Sequence, residues 1–256
     1  MAQELEPCPP AADLYDYRPS DEAGVPLWLP HNQGDVFSGV NLRSITGEDK
    51  LGHVMLFVHP CTMRGAGGGL RDRLTVIEVA VVNSSKSLDK PSHWKNAKVI
   101  PLPDFSGAGN DAYQANMMNM GTVSASELTR SNRVLALSST GRSYMLHRII
   151  YHLTRHGVPS QVLDQATSRV QAEIQLQGDW TNTAWSHRGE LTEIEVATVE
   201  GEFQALLDRP WPSSDDDALD RIRDRLASES AEDHEGAVEY LWELIQRGMP
   251  GEVLAA

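Results

Sequence analysis

Through the first half of the chain, apolar residues come in short runs bounded by turn-forming residues; through the second half they recur with helical spacing. The runs at 35–42 (DVFSGVNL), 53–59 (HVMLFVH), 74–82 (LTVIEVAVV) and 98–103 (KVIPLP) are rich in β-branched and aromatic side chains and predict strands. Weaker patterns at 112–120 and 133–138 extend the set, and SASE at 124–127 has the form of a capping box. Leu146, Ile149, Ile150 and Leu153 fall at i, i+3, i+4 and i+7, which predicts a helix stopped by Gly157 and Pro159. A second helix, over about 159–176, would turn Leu163, Ala166, Val170 and Ile174 inward. The stretch 179–189 (DWTNTAWSHRG) reads as a loop at a domain edge. After it come two amphipathic helices, one with Leu219, Ile222 and Leu226, the other with Val238, Leu241, Trp242 and Ile245. The first 33 residues hold six prolines and read as an extended arm draped on the domain. The predicted organisation is a Pro-rich arm (1–32), a strand-rich domain with helices (33–178) and an acidic helical region (179–256), an α+β fold.

Charge sharpens this division. The 22 Lys and Arg against 36 Asp and Glu give a net −14. Residues 1–30 contribute −5, residues 31–188 contribute +4, and residues 189–256 contribute −13. A mildly basic centre is thus flanked by acidic ends. The acidic end reads either as a solvated tail or as a segment that covers a basic surface. A hydrophobic content of 40% over 256 residues is ordinary for a globular protein. No run approaches a membrane span and the N-terminus has no secretory pattern, so a cytoplasmic protein with no membrane partner is expected. The two cysteines, Cys8 and Cys61, offer neither a disulfide framework nor a Cys-rich zinc site, and neither a metal nor a cofactor is expected.

Candidate chemistry concentrates at 59–65 (HPCTMRG) and in the glycine loop that follows. His59 and Cys61 at i and i+2 would share one face of a strand, which would allow a nucleophile pair; a small core Cys is the plainer reading. The loop has no nucleotide-binding glycine motif, but Arg64, Arg71 and Arg73 flank it, and guanidinium groups match phosphate oxygens well. On the first helix, Tyr144, Arg148, Tyr151, His152 and Arg155 form one face that mixes cations with rings, as single-stranded nucleic acid requires. Arg64, Arg71, Arg73, Arg148 and Arg155 are therefore the candidate nucleic-acid contacts. Leu241, Trp242 and Ile245 are the candidate contacts to a protein partner, unless they dock on the chain itself.

The order of these segments resembles the MazF/PemK toxin family of SH3-like barrels, which are single-strand-specific endoribonucleases. The resemblance covers about residues 33–156. It begins with QGDVF (33–37), similar to the family's opening QGDV or RGDI strand, and continues with LGHVMLFVHP (51–60), LTVIEVAVVNSS (74–85), KVIPLP (98–103), MMNMGTVSASEL (117–128) and RVLALS (133–138). It implies an SH3-like β-barrel followed by C-terminal helices, binding of single-stranded RNA and metal-independent cleavage. A hydroxyl of Thr62 or Ser84, or His59, would assist attack by the ribose 2′-OH, and Arg64 would stabilise the developing charge. The chain departs from the family where GH is followed by Val54 in place of an arginine, and where only Ser84 or Ser85 could supply the hydroxyl after the third strand. The alternative is a catalytically inactive interaction or regulatory module on the same barrel, with a protein partner. Homodimer formation is left open.

Overall fold

The computed structural model describes residues 5–21, 24–43, 49–65, 69–82, 96–109, 111–212 and 221–247. The fold is α+β, with a seven-stranded antiparallel sheet and C-terminal helices. The chain divides into a sheet unit (1–26, 31–63 and 71–166) and a helical unit (27–30, 64–70 and 167–256).

The sheet contains β1 (Tyr15–Tyr17), β2 (Val36–Arg43), β3 (Asp49–Leu56), β4 (Arg73–Val81), β5 (Val99–Pro103), β6 (Ala112–Ser124) and β7 (Arg133–Leu137) in the order β1-β7-β2-β3-β4-β6-β5. The Pro-rich stretch expected to lie outside the domain supplies a helical turn, α1 (Ala11–Leu14), and then edge strand β1, because Leu14 and Tyr15 have apolar faces that the core buries. β3 stops at Leu56 instead of reaching His59. Pro60, with its fixed φ and no N–H, opens the helical turn α2 (Pro60–Met63). The QGD turn before β2 is held from three sides. Gln33 donates to the Phe57 carbonyl at 2.8 Å, Gly34 takes a φ of 90°, and Asp35 pairs with Arg133 at 3.0 Å.

The exposed edge of β5 is closed by chemistry instead of by a further strand. The Lys98 carbonyl turns toward β6 and accepts from Met117 N–H, so the alternate residues Val99, Pro101 and Pro103 face the open edge. Two of those three are prolines and have no N–H to leave unpaired. Their carbonyls are taken by side chains: Arg148 Nη2 on Val99 at 2.7 Å, Cys8 Sγ on Pro101 at 4.0 Å, and Tyr15 Oη on Pro103 at 2.9 Å. Since Tyr15 lies on the opposite edge strand, the sheet is curled until its two edges meet through side chains. Arg18 and Asp104 add an ion pair at 2.7 Å across the same gap. No backbone ladder joins β1 to β5, so the sheet remains open. Val36, Met55, Ile77, Leu102 and Leu135 fill its interior.

The long helix α3 (Ser139–Thr154) covers that interior. Ser138 caps it by accepting from Gly141 N–H at 3.0 Å, and Gly141 has to be glycine because a Cβ there would stand 2.2 Å from the Leu14 carbonyl. α4 (Ser160–Arg188) follows, and the boundary between the units falls inside it, after Ala166. The stretch 179–189, expected as a loop, is almost all helix: Trp180 and Ala184, four apart on one face, are completely buried. Trp180 Nε1 also donates to the Val199 carbonyl at 3.1 Å. α5 (Glu193–Leu207), α6 (Ile222–Leu226) and α7 (Ala231–Arg247) complete the helical unit around Trp180, Phe203, Leu206, Ile222 and Leu241. Leu219 lies outside the described residues. Among those described, no helix is long and apolar enough to cross a membrane.

Candidate functional site

The segment singled out for catalysis is a strand end that folds into one helical turn. The His59 carbonyl caps that turn by accepting from the N–H groups of Thr62 (2.8 Å) and Met63 (3.1 Å). The strand geometry that would have put His59 and Cys61 on one face is therefore absent. His59 is half-buried, and burial lowers its imidazole pKa from the ordinary 6.5, which keeps the ring neutral at physiological pH. Thr62 is exposed two residues before Arg64. Arg64 bridges to Leu70, and within that bridge Gly65 N–H donates to the Gly69 carbonyl at 2.8 Å. Ser84 and Ser85 lie outside the described residues. Val54, which stands where the resemblance would call for an arginine, is 1% exposed between β2 and β4, in register with Phe37 and Glu78. A guanidinium would not fit there without breaking the core.

Arg71 and Arg73 are exposed in the sheet unit, whereas Arg64 groups with the helical unit. Both Arg71 and Arg73 sit on a fixed backbone: Arg71 N–H donates to the Met63 carbonyl at 2.8 Å, and Arg73 is in register with Ser124 on β6.

The helix face expected to meet nucleic acid is turned inward at its start. Tyr144, Met145, His147 and Arg148 are among the buried residues of α3, while Leu153, expected inside, is 74% exposed. Arg148 has no exposed surface; it donates to the carbonyls of Asn96 (2.6 Å) and Val99 (2.7 Å). His152 Nδ1 lies 2.9 Å from the Ala97 carbonyl of the same turn. These carbonyls at the start of β5 lack strand partners, and that need outweighs the apolar stripe in setting how α3 is rotated. Arg148 is thus a structural residue. Arg155 stays exposed as the left-handed C-cap of α3. In the helical unit, Leu241 and Ile245 are buried in their own core and only Trp242, at 43%, is exposed, so the proposed partner stripe is reduced to one ring.

Sequence reasoning missed a polar cavity where α3 and α4 begin, lined in part by Glu6, Ser143 and Asp164. Its signal was the hydroxyl-rich run 138–143 (SSTGRS), directly after a strand. No group of three or more His, Cys, Asp or Glu among the described residues is placed to hold a metal ion. No protein-family model, curated protein or solved structure matches the chain.

Proposed function

We propose that the chain is a cytoplasmic, MazF/PemK-like protein, with an SH3-like sheet, that binds single-stranded RNA through Arg71 and Arg73, with Arg64 as a further phosphate contact. The observation that carries this reading is the exposed pair Arg71 and Arg73, whose backbone is held by the Arg71 N–H bond to the Met63 carbonyl and by the pairing of Arg73, the first residue of β4, with Ser124 on β6. Phosphate contacts of this kind supply most of the affinity for a single strand and make it salt-dependent. Cleavage, where it occurs, would use neutral His59 to take the 2′-OH proton while that oxygen attacks phosphorus, with Arg64 stabilising the charge and the 5′-oxygen leaving. The acidic C-terminal region would cover the basic face until RNA displaces it.

A second reading, a catalytically inactive module that grips a protein partner, is favoured by the burial of Val54 at the position of the missing arginine. One experiment separates the two. Labelled single-stranded RNA is titrated with the full chain in EDTA at about 50 and 200 mM salt, scoring retention and cleavage together. The RNA reading expects binding that weakens steeply with salt, and a salt slope lower by about 2 in the Arg71→Ala, Arg73→Ala double variant. Absence of binding at low salt would leave the partner-binding module. Charge-neutralising substitutions on α7 test the mask better than deleting 206–256, because Leu206, Leu207 and Leu241 are core residues whose loss would unfold the helical unit.

A further inference from the structure

A cavity of about 220 Å³ lies in the sheet unit, where the first turns of α3 and α4 open beside the segment preceding α1. Its walls are fixed before any ligand arrives. Glu6 accepts from Ser160 N–H at 3.0 Å and also from the Ser160 hydroxyl, which ties the N-terminal segment to the start of α4. The N–H of Glu6 in turn donates to His147 Nε2 at 3.1 Å, and His147 Nδ1 donates to the Val158 carbonyl at 2.6 Å. Across the cavity, Ser143 Oγ donates to Asp164 Oδ1 at 3.2 Å. Tyr144, only 1% exposed, forms part of the wall. Its hydroxyl lies beside the Cys8 thiol and the Arg148 guanidinium, yet makes no hydrogen bond of normal geometry.

The lining selects by charge and polarity. Among the described residues no Lys, Arg or His lines it and two carboxylates do, so an anion would meet repulsion that two helix N-termini only partly offset. A cation would face those same positive helix ends, and the Glu6 carboxylate already takes two donors. An apolar ligand would strand hydroxyl, amide and carboxylate groups without water. What remains is a neutral molecule with several hydroxyl groups. Such groups donate to carboxylate and hydroxyl oxygens, and accept from the first-turn amides of Ser139 and Thr140, which precede the intrahelical ladder. Pro9 and the Tyr144 ring offer apolar wall for C–H groups. The volume equals about seven waters, the size of one sugar ring.

We propose that this cavity binds a small neutral polyol of monosaccharide size, through Asp164, Gln161 and the first turn of α3. The site is independent of the RNA reading, since neither Arg71 nor Arg73 lines it. The shared chemistry is a set of neighbouring hydroxyls, which either a free sugar or the ribose of a nucleoside can present.

The test is a titration of the full chain, followed by amide NMR shifts, with D-ribose, D-glucose and uridine, and with inorganic phosphate and putrescine as charged controls. The expected result is saturable movement of the Ser139, Thr140 and Gln161 amides with at least one sugar, and none with either control. A response to uridine together with ribose assigns the nucleoside as source; a response to free sugars alone assigns the free sugar. Gln161→Trp, at an exposed position, fills the cavity and abolishes the response, and Asp164→Ala weakens it about tenfold through the lost charge-assisted hydrogen bond. The Arg71→Ala, Arg73→Ala variant binds sugar as the parent does, whatever its RNA affinity. Saturation by phosphate or putrescine in place of sugar, no response to any probe, or a sugar response that survives Gln161→Trp overturns the proposal.

Discussion

The sheet unit encloses some of its charged side chains completely, whereas the ion pairs described in the helical unit lie at its rim. In the first, Arg133 and Asp35 pair at 3.0 Å with side chains 0% and 2% exposed, and Arg148 is fully enclosed. In the second, Arg223 meets Glu173 at 3.2 Å and Arg225 meets Asp233 at 3.1 Å, all with side chains between 27% and 38% exposed. The contrast follows from the backbone. A helix satisfies its own N–H and C=O groups along its length, so its neighbours need supply only apolar surface. A curled sheet with an unpaired edge and irregular loops leaves carbonyls facing the core, and each needs a donor. Arg148 serves Asn96 and Val99, and Arg133 serves the Pro26 carbonyl at 3.0 Å besides Asp35. Arg133 and Arg148 mark places where regular pairing stops.

If that account is right, removing a buried cation costs far more than removing a rim cation. The largest effect is expected for Arg133→Met, which strands Asp35 in the core and should lower stability by about 3–5 kcal/mol in urea unfolding. Burial already raises the Asp35 pKa despite its partner, so the carboxylate has little tolerance for losing that charge. Adding Asp35→Leu to the same chain should restore most of the loss; a double variant as unstable as the single would refute the ion-pair explanation. Next comes Arg148→Met, which leaves two carbonyls without a donor and should cost about 2–4 kcal/mol. Hydrogen exchange should then speed up in β5 and β6 while the amides of α7 stay protected, and equal loss in both units would count against edge sealing. Arg223→Met in the helical unit should cost no more than about 1 kcal/mol, because solvent screens its pairs.

The smallest expected effect is a pH dependence. Burial lowers the pKa of His53, packed edge-on against Phe105 and Tyr113, and that of His59, from the ordinary 6.5. On acidification the unfolded chain takes up these protons first. Their contribution to stability is therefore complete above pH 6.5 and is lost as the pH falls toward the lowered values. The urea midpoint should drop between pH 7.5 and 5.5, by less in His53→Gln. A drop of the same size in the variant would assign the dependence to other groups.

Much of the fold could be read from local pattern. β2, β4, β5 and β7 fall on the short apolar runs, and α6 and α7 fall on their stripes, since periodicity reports which face is buried. The capping box at Ser124 heads a short 3-10 turn, as its S-x-x-E form required. Pattern also misled, and two places show why. Around 179–189, polar Thr and Asn residues between tryptophans hid a helix whose Trp180 is buried only because α5 returns to meet it. On α3, the apolar stripe suggested one inner face, and the carbonyls at the start of β5 imposed another. The site followed the same rule. The exposure of Arg71 and Arg73 was readable from their position beside a loop, whereas the burial of Arg148 was not.

The sequence by itself determined the class of the fold, most strand positions, the amphipathic helices and the separation of a mildly basic centre from an acidic end. Each of these depends on neighbours within a few residues, or on composition. Only the tertiary structure decided that the N-terminal segment forms an edge strand, that Tyr15, Cys8 and Arg148 close the edge of β5, and that Glu6, Ser143 and Asp164 meet around one cavity. Those outcomes depend on backbone groups far apart in the chain whose hydrogen-bonding needs exist only once the sheet has curled.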